Sequence, residues 1–198
     1  MDNVALGLFI LSATALLGSP GPAIAMLVAI GRAEGIARGL RFFTGLQIGL
    51  ALAAAISAFG LFSLVQLVPG AMQVMAVGAA IYLLWLAWKI ASAPVGVNAG
   101  EGGVLSSFTA GMFLGLSNPK AFMAFLSLFA SQTLVAGSRH GDTVFKWALV
   151  VLVMIVVDIV WLMIGAGLRH ARLSPRGERA LNIVLGAMVV GATLLSLW

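Results

Sequence analysis

Four elements of this sequence could do chemistry: the segment Gly18-Ser19-Pro20-Gly21-Pro22, the segment Ser117-Asn118-Pro119, and the charged residues Lys120 and Asp158. All four stand in otherwise apolar surroundings. The two proline segments lie half of the 198-residue chain apart. A proline inside an apolar helix frees backbone N–H and C=O groups where no water can satisfy them. Such breaks persist where protein or a cavity supplies partners, and paired breaks in two halves of a chain point to a transporter's substrate site. Proline suits the first position of a helix, so Asn118 followed by Pro119 predicts an N-cap with proline at N1. Ser19-Pro20 and Pro22 can do the same in the first segment. Each break would then start a half-helix whose free N–H groups suit an anion such as a carboxylate. A plain proline kink with no ligand is the simpler alternative.

The two charges sharpen this picture. A lysine near the centre of a membrane span costs roughly 2.5–3.5 kcal/mol on insertion scales. Lys120 is therefore expected to act as a fixed cation for a substrate carboxylate or as a partner for Asp158; snorkelling is the alternative that needs no function. Asp158 is central in its apolar stretch. It could hold a substrate ammonium group, carry a coupling proton, or form a structural ion pair with Lys120.

The elements that must position these residues are membrane helices. The chain is 62% hydrophobic and 9% charged, with mean hydropathy +1.12; soluble domains carry about 25% charge. There are no cysteines, which excludes disulfides and thiolate metal sites. The net charge of +5 gathers in short loops, a pattern of membrane orientation rather than of nucleic-acid binding. The start, Met1-Asp2-Asn3, lacks the basic residue of a cleaved signal peptide.

Six spans of about 20 residues follow from the hydropathy. The first runs from Val4 to Ile30 and holds the first break. A polar loop from Gly31 to Arg41 follows. Phe42 to Trp88 is uncharged and divides into two spans at Pro69-Gly70, with Lys89 closing the third. The fourth runs from Leu105 to Leu134 and holds the second break; Arg139, His140, Asp142 and Lys146 form the next loop. Trp147 to Leu168 and Ala180 to Trp198 are the fifth and sixth. Loops after the odd spans hold eight Lys and Arg, and the opposite side holds Arg139 and Lys146 only. That bias places both termini outside the cytoplasm. Spans one and four then run in opposite senses, as in an inverted repeat.

Weaker signals surround these. Gly45 with Gly49, and Gly111 with Gly115, have the spacing of close helix packing. Gln47 and Tyr82 could line a cavity or simply bond a neighbouring helix. Trp85, Trp88, Trp147 and Trp198 suit interface belts, and His140 and His170 read as solvated. No metal-ligand cluster, nucleophile–base pair or phosphate loop is visible, so neither an enzyme nor a cofactor is expected.

In order and spacing these residues resemble the LysE/RhtB family of bacterial amino-acid exporters. The resemblance runs through Ser19-Pro20-Gly21-Pro22, then Gly35-x-x-Arg38-Gly39-Leu40, then Gly45 and Gly49. It continues through Gly115-x-x-Asn118-Pro119-Lys120-Ala121, Asp158-x-x-Trp161 and Gly186. It implies a carrier that exports amino acids or related metabolites, driven by the proton gradient.

The expected fold is an all-α polytopic membrane protein, with six transmembrane helices as two inverted three-helix repeats and spans one and four broken at the proline motifs. It forms a single membrane domain, 1–198, with halves near 1–92 and 104–198 and a linker at 93–103. The expected substrate-binding residues are Ser19, Pro20, Gly21, Pro22, Asn118, Pro119, Lys120 and Asp158, with Asp158 also the proton carrier. Expected partners are a small zwitterionic amino acid or derivative, protons and the lipid bilayer of a bacterial inner membrane, without nucleic acid or metal; a homo-oligomer stays open. A metal-ion exporter and a non-transporting membrane subunit are the other classes. The first should show several intramembrane carboxylates or histidines, and the second would not need a mid-span lysine and aspartate.

Overall fold

The computed structural model describes residues 3–60, 107–169 and 174–195, with nine positions between 77 and 92. The Pro69-Gly70 turn, Tyr82, Lys89, the linker at 93–103, His170, Arg172 and Trp198 lie outside the described residues. All regular structure among the described residues is helical: α1 (Asn3–Gly18), α2 (Pro22–Ala58), α3 (Phe108–Ser117), α4 (Pro119–Phe129), α5 (Arg139–Leu168) and α6 (Pro175–Leu195). By length and apolar content α2 and α5 can each cross a membrane, and α3 with α4, bent by 54°, have together the character of a broken span or a re-entrant loop.

Helix α2 doubles back on itself. Gly35 sits inside it at φ 78° and ψ −178°, a region open essentially to glycine alone. A methyl group placed on Gly39 would lie 3.5 Å from Ile30 Cγ2. In a straight helix nine residues rise about 13.5 Å, so this contact requires the chain to reverse at Gly35. The expected loop over Gly31–Arg41 is therefore a correction: the helix runs to the reversal and resumes at once, and one residue makes the turn. The two legs, 22–34 and 36–58, form the centre of the bundle.

Glycines let neighbours approach these legs backbone to backbone. A Cβ on Gly45 would strike the Phe108 carbonyl of α3, and one on Gly49 would lie 3.1 Å from Gly115 Cα. From the other side, a Cβ on Gly111 would lie 2.9 Å from Leu46 N, and one on Gly115 2.6 Å from Leu46 O. The two glycine pairs thus interlock. A third contact joins the first leg to α5, where Cβ atoms on Gly31 and Gly165 would strike the backbone of Leu162 and Val28.

Helix α5 divides its surface sharply. Val150, Met154, Asp158 and Leu162 are buried, a four-residue spacing that defines one stripe. Leu152, Val156, Val160 and Met163 are exposed on the opposite side. An apolar stripe of that length, uncovered by protein, is a lipid-facing surface. The polar Asp158 therefore faces the bundle interior.

A buried charge pair holds the α4–α5 connection. Lys146 Nζ lies 3.0 Å from Asp142 Oδ2 and 3.2 Å from the Ser131 carbonyl. Asp142 Oδ1 accepts the N–H groups of Leu134 at 2.6 Å and Val135 at 2.8 Å. The expectation that Arg139, His140, Asp142 and Lys146 form a loop is corrected here. They make the first turns of α5, capped by the Ser138 hydroxyl, and the true connection is 130–138. At the other end of α5, Arg32 bonds Asn182 at 2.9 Å and pairs with Glu178 at 3.5 Å, tying α6 to the first leg of α2.

Two outcomes test this packing. Gly49→Val should lower the thermal midpoint in detergent micelles by the equivalent of about 1–3 kcal/mol or more. Gly167→Ala, whose Cβ meets nothing within 4 Å, should be neutral or slightly stabilising. Asp142→Ala should cost about 3–5 kcal/mol, because it strands Lys146 as a lone buried cation. Adding Lys146→Met should recover part of that loss in the same melting measurement.

Candidate functional site

The two helix breaks meet. Gly21 and Pro22 from the first, Asn118 and Lys120 from the second, and Asp158 from α5 line one narrow cleft. Apolar walls come from residues such as Leu50, Ala124 and Met154. Ser19 takes part through its main-chain carbonyl. Pro20 is exposed and Pro119 half-buried; these two prolines shape the backbone and are not in the lining.

The first break opens donors to the cleft. Pro22 stands at the first position of α2 after Gly21, and the Ala25 N–H makes the bond to Gly21 O at 2.9 Å. The N–H groups of Ala23 and Ile24 precede that bond, so they have no partner within the helix. Both residues line the cleft. The positive end of the leg's dipole adds to the attraction for an anion there.

The second break differs. Asn118 occupies the N-cap position with φ −77° and ψ 102°, but its side chain makes no capping bond. The expected N-cap with proline at N1 is thus present, without a capping bond from its side chain. The N–H groups of Ala121 and Phe122 turn instead to the Asn118 main-chain carbonyl, at 3.1 and 3.2 Å. The side-chain oxygen, Asn118 Oδ1, is buried and has no hydrogen-bond partner among the described residues. A cap would be worth about 1 kcal/mol, and an unmet buried acceptor costs about 1–3 kcal/mol. The protein forgoes the first and tolerates the second.

Lys120 spans the two breaks. Its ammonium donates to the Ser19 carbonyl beyond the end of α1, where the negative end of a helix dipole favours a cation. The stem crosses Gly21 so closely that a Cβ there would lie 2.9 Å from Lys120 Cδ. Gly21 is extended, at φ −173°, so the need for glycine is one of space alone. Lys120 makes no ion pair with Asp158 within 4.0 Å; the ion pairs among the described residues are Arg32–Glu178 and Lys146–Asp142. The direct Lys120–Asp158 pair expected as one alternative is therefore not formed.

Asp158 is buried and accepts a bond from Gln47 Nε2 at 2.7 Å. Gln47 comes from the second leg of α2 and keeps its own Oε1 without a partner. The sequence offered Gln47 as a cavity residue or as a bond to a neighbouring helix, and the bond to α5 is the second of these. Its pairing with Asp158 needed the register of the second leg against α5, which no local pattern carries. Trp147, read as an interface residue, instead donates its indole N–H to the Ala51 carbonyl at 3.0 Å. No group of three or more His, Cys, Asp or Glu among the described residues could hold a metal ion.

A helical bundle with a lipid-facing apolar surface, whose broken helices bring a lysine and a buried aspartate to one interior cleft, is the architecture of a membrane transporter. A family profile for the LysE type translocator matches residues 14–197, and the chain belongs to that family. It is a bacterial membrane transporter and not an enzyme. The chain is similar to the cysteine/O-acetylserine efflux protein of Escherichia coli strain K12, at 26% identity over 87% of both chains. It is similarly related to the protein of that description from Shigella sonnei strain Ss046, also at 26% over 87% of both. No solved structure matches.

The crossing of Gly21 by Lys120 is testable. Gly21→Ala should fold and melt as wild type does, because the obstructed group is the far end of a flexible side chain. It should displace the ammonium from Ser19 and lower efflux from proteoliposomes by about tenfold, equivalent to ~1.4 kcal/mol.

Proposed function

We propose that this protein exports small neutral amino acids, with cysteine and O-acetylserine as the first substrates to try, across the bacterial inner membrane. The observation that carries the reading is the meeting of opposite charges in one cleft, where Lys120 and the residues that start α2 share the lining with Asp158. A zwitterion matches that arrangement. Its carboxylate would lie at the start of α2 beside Lys120, and its ammonium would lie toward Asp158. The names of the efflux relatives support the substrate class.

The reversal at Gly35 supports a reading of α1 with the first leg of α2 as span one, and the second leg as span two. With α3–α4, α5 and α6, and a third span read from the sequence between Pro69-Gly70 and Trp88, the chain would have six spans in two inverted halves. Both termini would then lie outside the cytoplasm. Rocking of the halves about the cleft would expose it to each side in turn. Ser19, Pro20, Gly21, Pro22, Asn118 and Pro119 would shape the site and Lys120 would hold the carboxylate. Asp158 would alternate between cargo and a coupling proton, with Gln47 setting its orientation.

Asp158→Asn is the direct test. In proteoliposomes, wild-type efflux of L-cysteine or O-acetyl-L-serine should rise with an imposed pH gradient. The variant should move at least tenfold less and should not respond to the gradient. Equal efflux by the two proteins across a range of gradients would remove Asp158 from the coupling role.

A further inference from the structure

Asn118 stands at a helix start, yet its side chain offers that helix nothing. Its Nδ2 and Oδ1 make no capping bond, Oδ1 has no partner, and the residue is 4% exposed. It lines the cleft alongside Asp158. A carboxamide oxygen can only accept a hydrogen bond, and so can an ionised carboxylate. Asp158 Oδ2 is already met by Gln47. Among the described residues Oδ1 of Asp158 has no hydrogen-bond partner. The cleft therefore presents acceptors from two different helices, α5 and the α3–α4 break, to whatever enters it. The anion-seeking groups are the Ala23 and Ile24 N–H groups of the first break and the Lys120 ammonium, which reaches that break from the second.

We infer that Asn118 Oδ1 and Asp158 together receive the cargo's ammonium group, so that the second break reads the amino end of the substrate and selects a primary amine. This rests on the reading of the cleft as an amino-acid site and reverses the expectation that both helix starts hold the carboxylate. A primary ammonium has three N–H donors. One can meet Asp158, a second can meet Asn118, and a third is left for main-chain oxygen. N,N-dimethylation keeps the charge but leaves a single donor, so Asp158 can still be met while Asn118 cannot. A site built to hydrogen-bond its ligand rejects an analogue lacking the bond far more strongly than an apolar pocket rejects an extra methyl. Gln47 Oε1 is a second unmet acceptor, but Gln47 is not in the cleft lining, so Asn118 is the one placed to meet cargo.

The test compares L-cysteine with N,N-dimethyl-L-cysteine, both kept reduced, in efflux from proteoliposomes. Wild type should move L-cysteine at least tenfold faster. Asn118→Leu keeps the approximate volume and removes the unmet acceptor, so it should insert and melt at or above the wild-type temperature. It should lower L-cysteine flux about tenfold and N,N-dimethyl-L-cysteine flux far less, bringing the ratio toward one. If Asn118→Leu fails to insert, Asn118→Ala reads the same ratio. An unchanged ratio in the variant, or equal flux of the two compounds by wild type, overturns the inference and leaves the exporter reading standing. Wild type that moves no amino acid at all removes both.

Discussion

A helix broken inside an apolar medium leaves main-chain groups without water to satisfy them, and the rest of this structure follows from how those groups are met. At the first break the carbonyl of Ser19 is met by the ammonium of Lys120, which arrives from the second break. One interaction thus satisfies an orphan acceptor, seats a cation beyond the C-terminal end of α1, and holds the two breaks face to face. Gly21 is the space through which the lysine passes.

The crossing needs a scaffold that brings distant segments within a side chain's reach. The doubled helix α2 supplies it. Its first leg lies against α5 through Gly31 and Gly165, and its second leg against α3 through the interlocked pairs Gly45–Gly49 and Gly111–Gly115. Lipid offers little hydrophobic drive between helices, so such close backbone approach is a principal source of association. The same second leg carries Gln47 to Asp158. Packing and site are therefore built from the same turns of helix.

Much of the site was legible in the sequence because its members break local rules. Prolines in apolar stretches, a mid-span lysine and a mid-span aspartate each cost energy in isolation, and the structure brings Gly21, Pro22, Asn118, Lys120 and Asp158 to one cleft. The glycine pairs were legible for the same reason, by spacing. What could not be read was anything decided by the register of distant helices. Gln47 looked like any buried polar residue, and the Lys120 acceptor proved to be a main-chain carbonyl that no sequence displays. The 31–41 segment read as a loop because it carries charge, whereas a single glycine at φ 78° suffices for the turn. Asp142 and Lys146 read as loop residues for the same cause, and their mutual burial on the first turns of α5 hid them.

The central claim is that cargo occupies the cleft between the breaks. Because the chain has no cysteine, one introduced thiol can report on it. Ala124 lines the cleft, and Thr133 lies exposed in the α4–α5 connection. Labelling of Ala124→Cys by a small thiol reagent in proteoliposomes should slow as O-acetyl-L-serine is raised through the concentrations that saturate efflux, while labelling of Thr133→Cys stays constant. Labelling of Ala124→Cys that is unaffected at saturating O-acetyl-L-serine would contradict the claim.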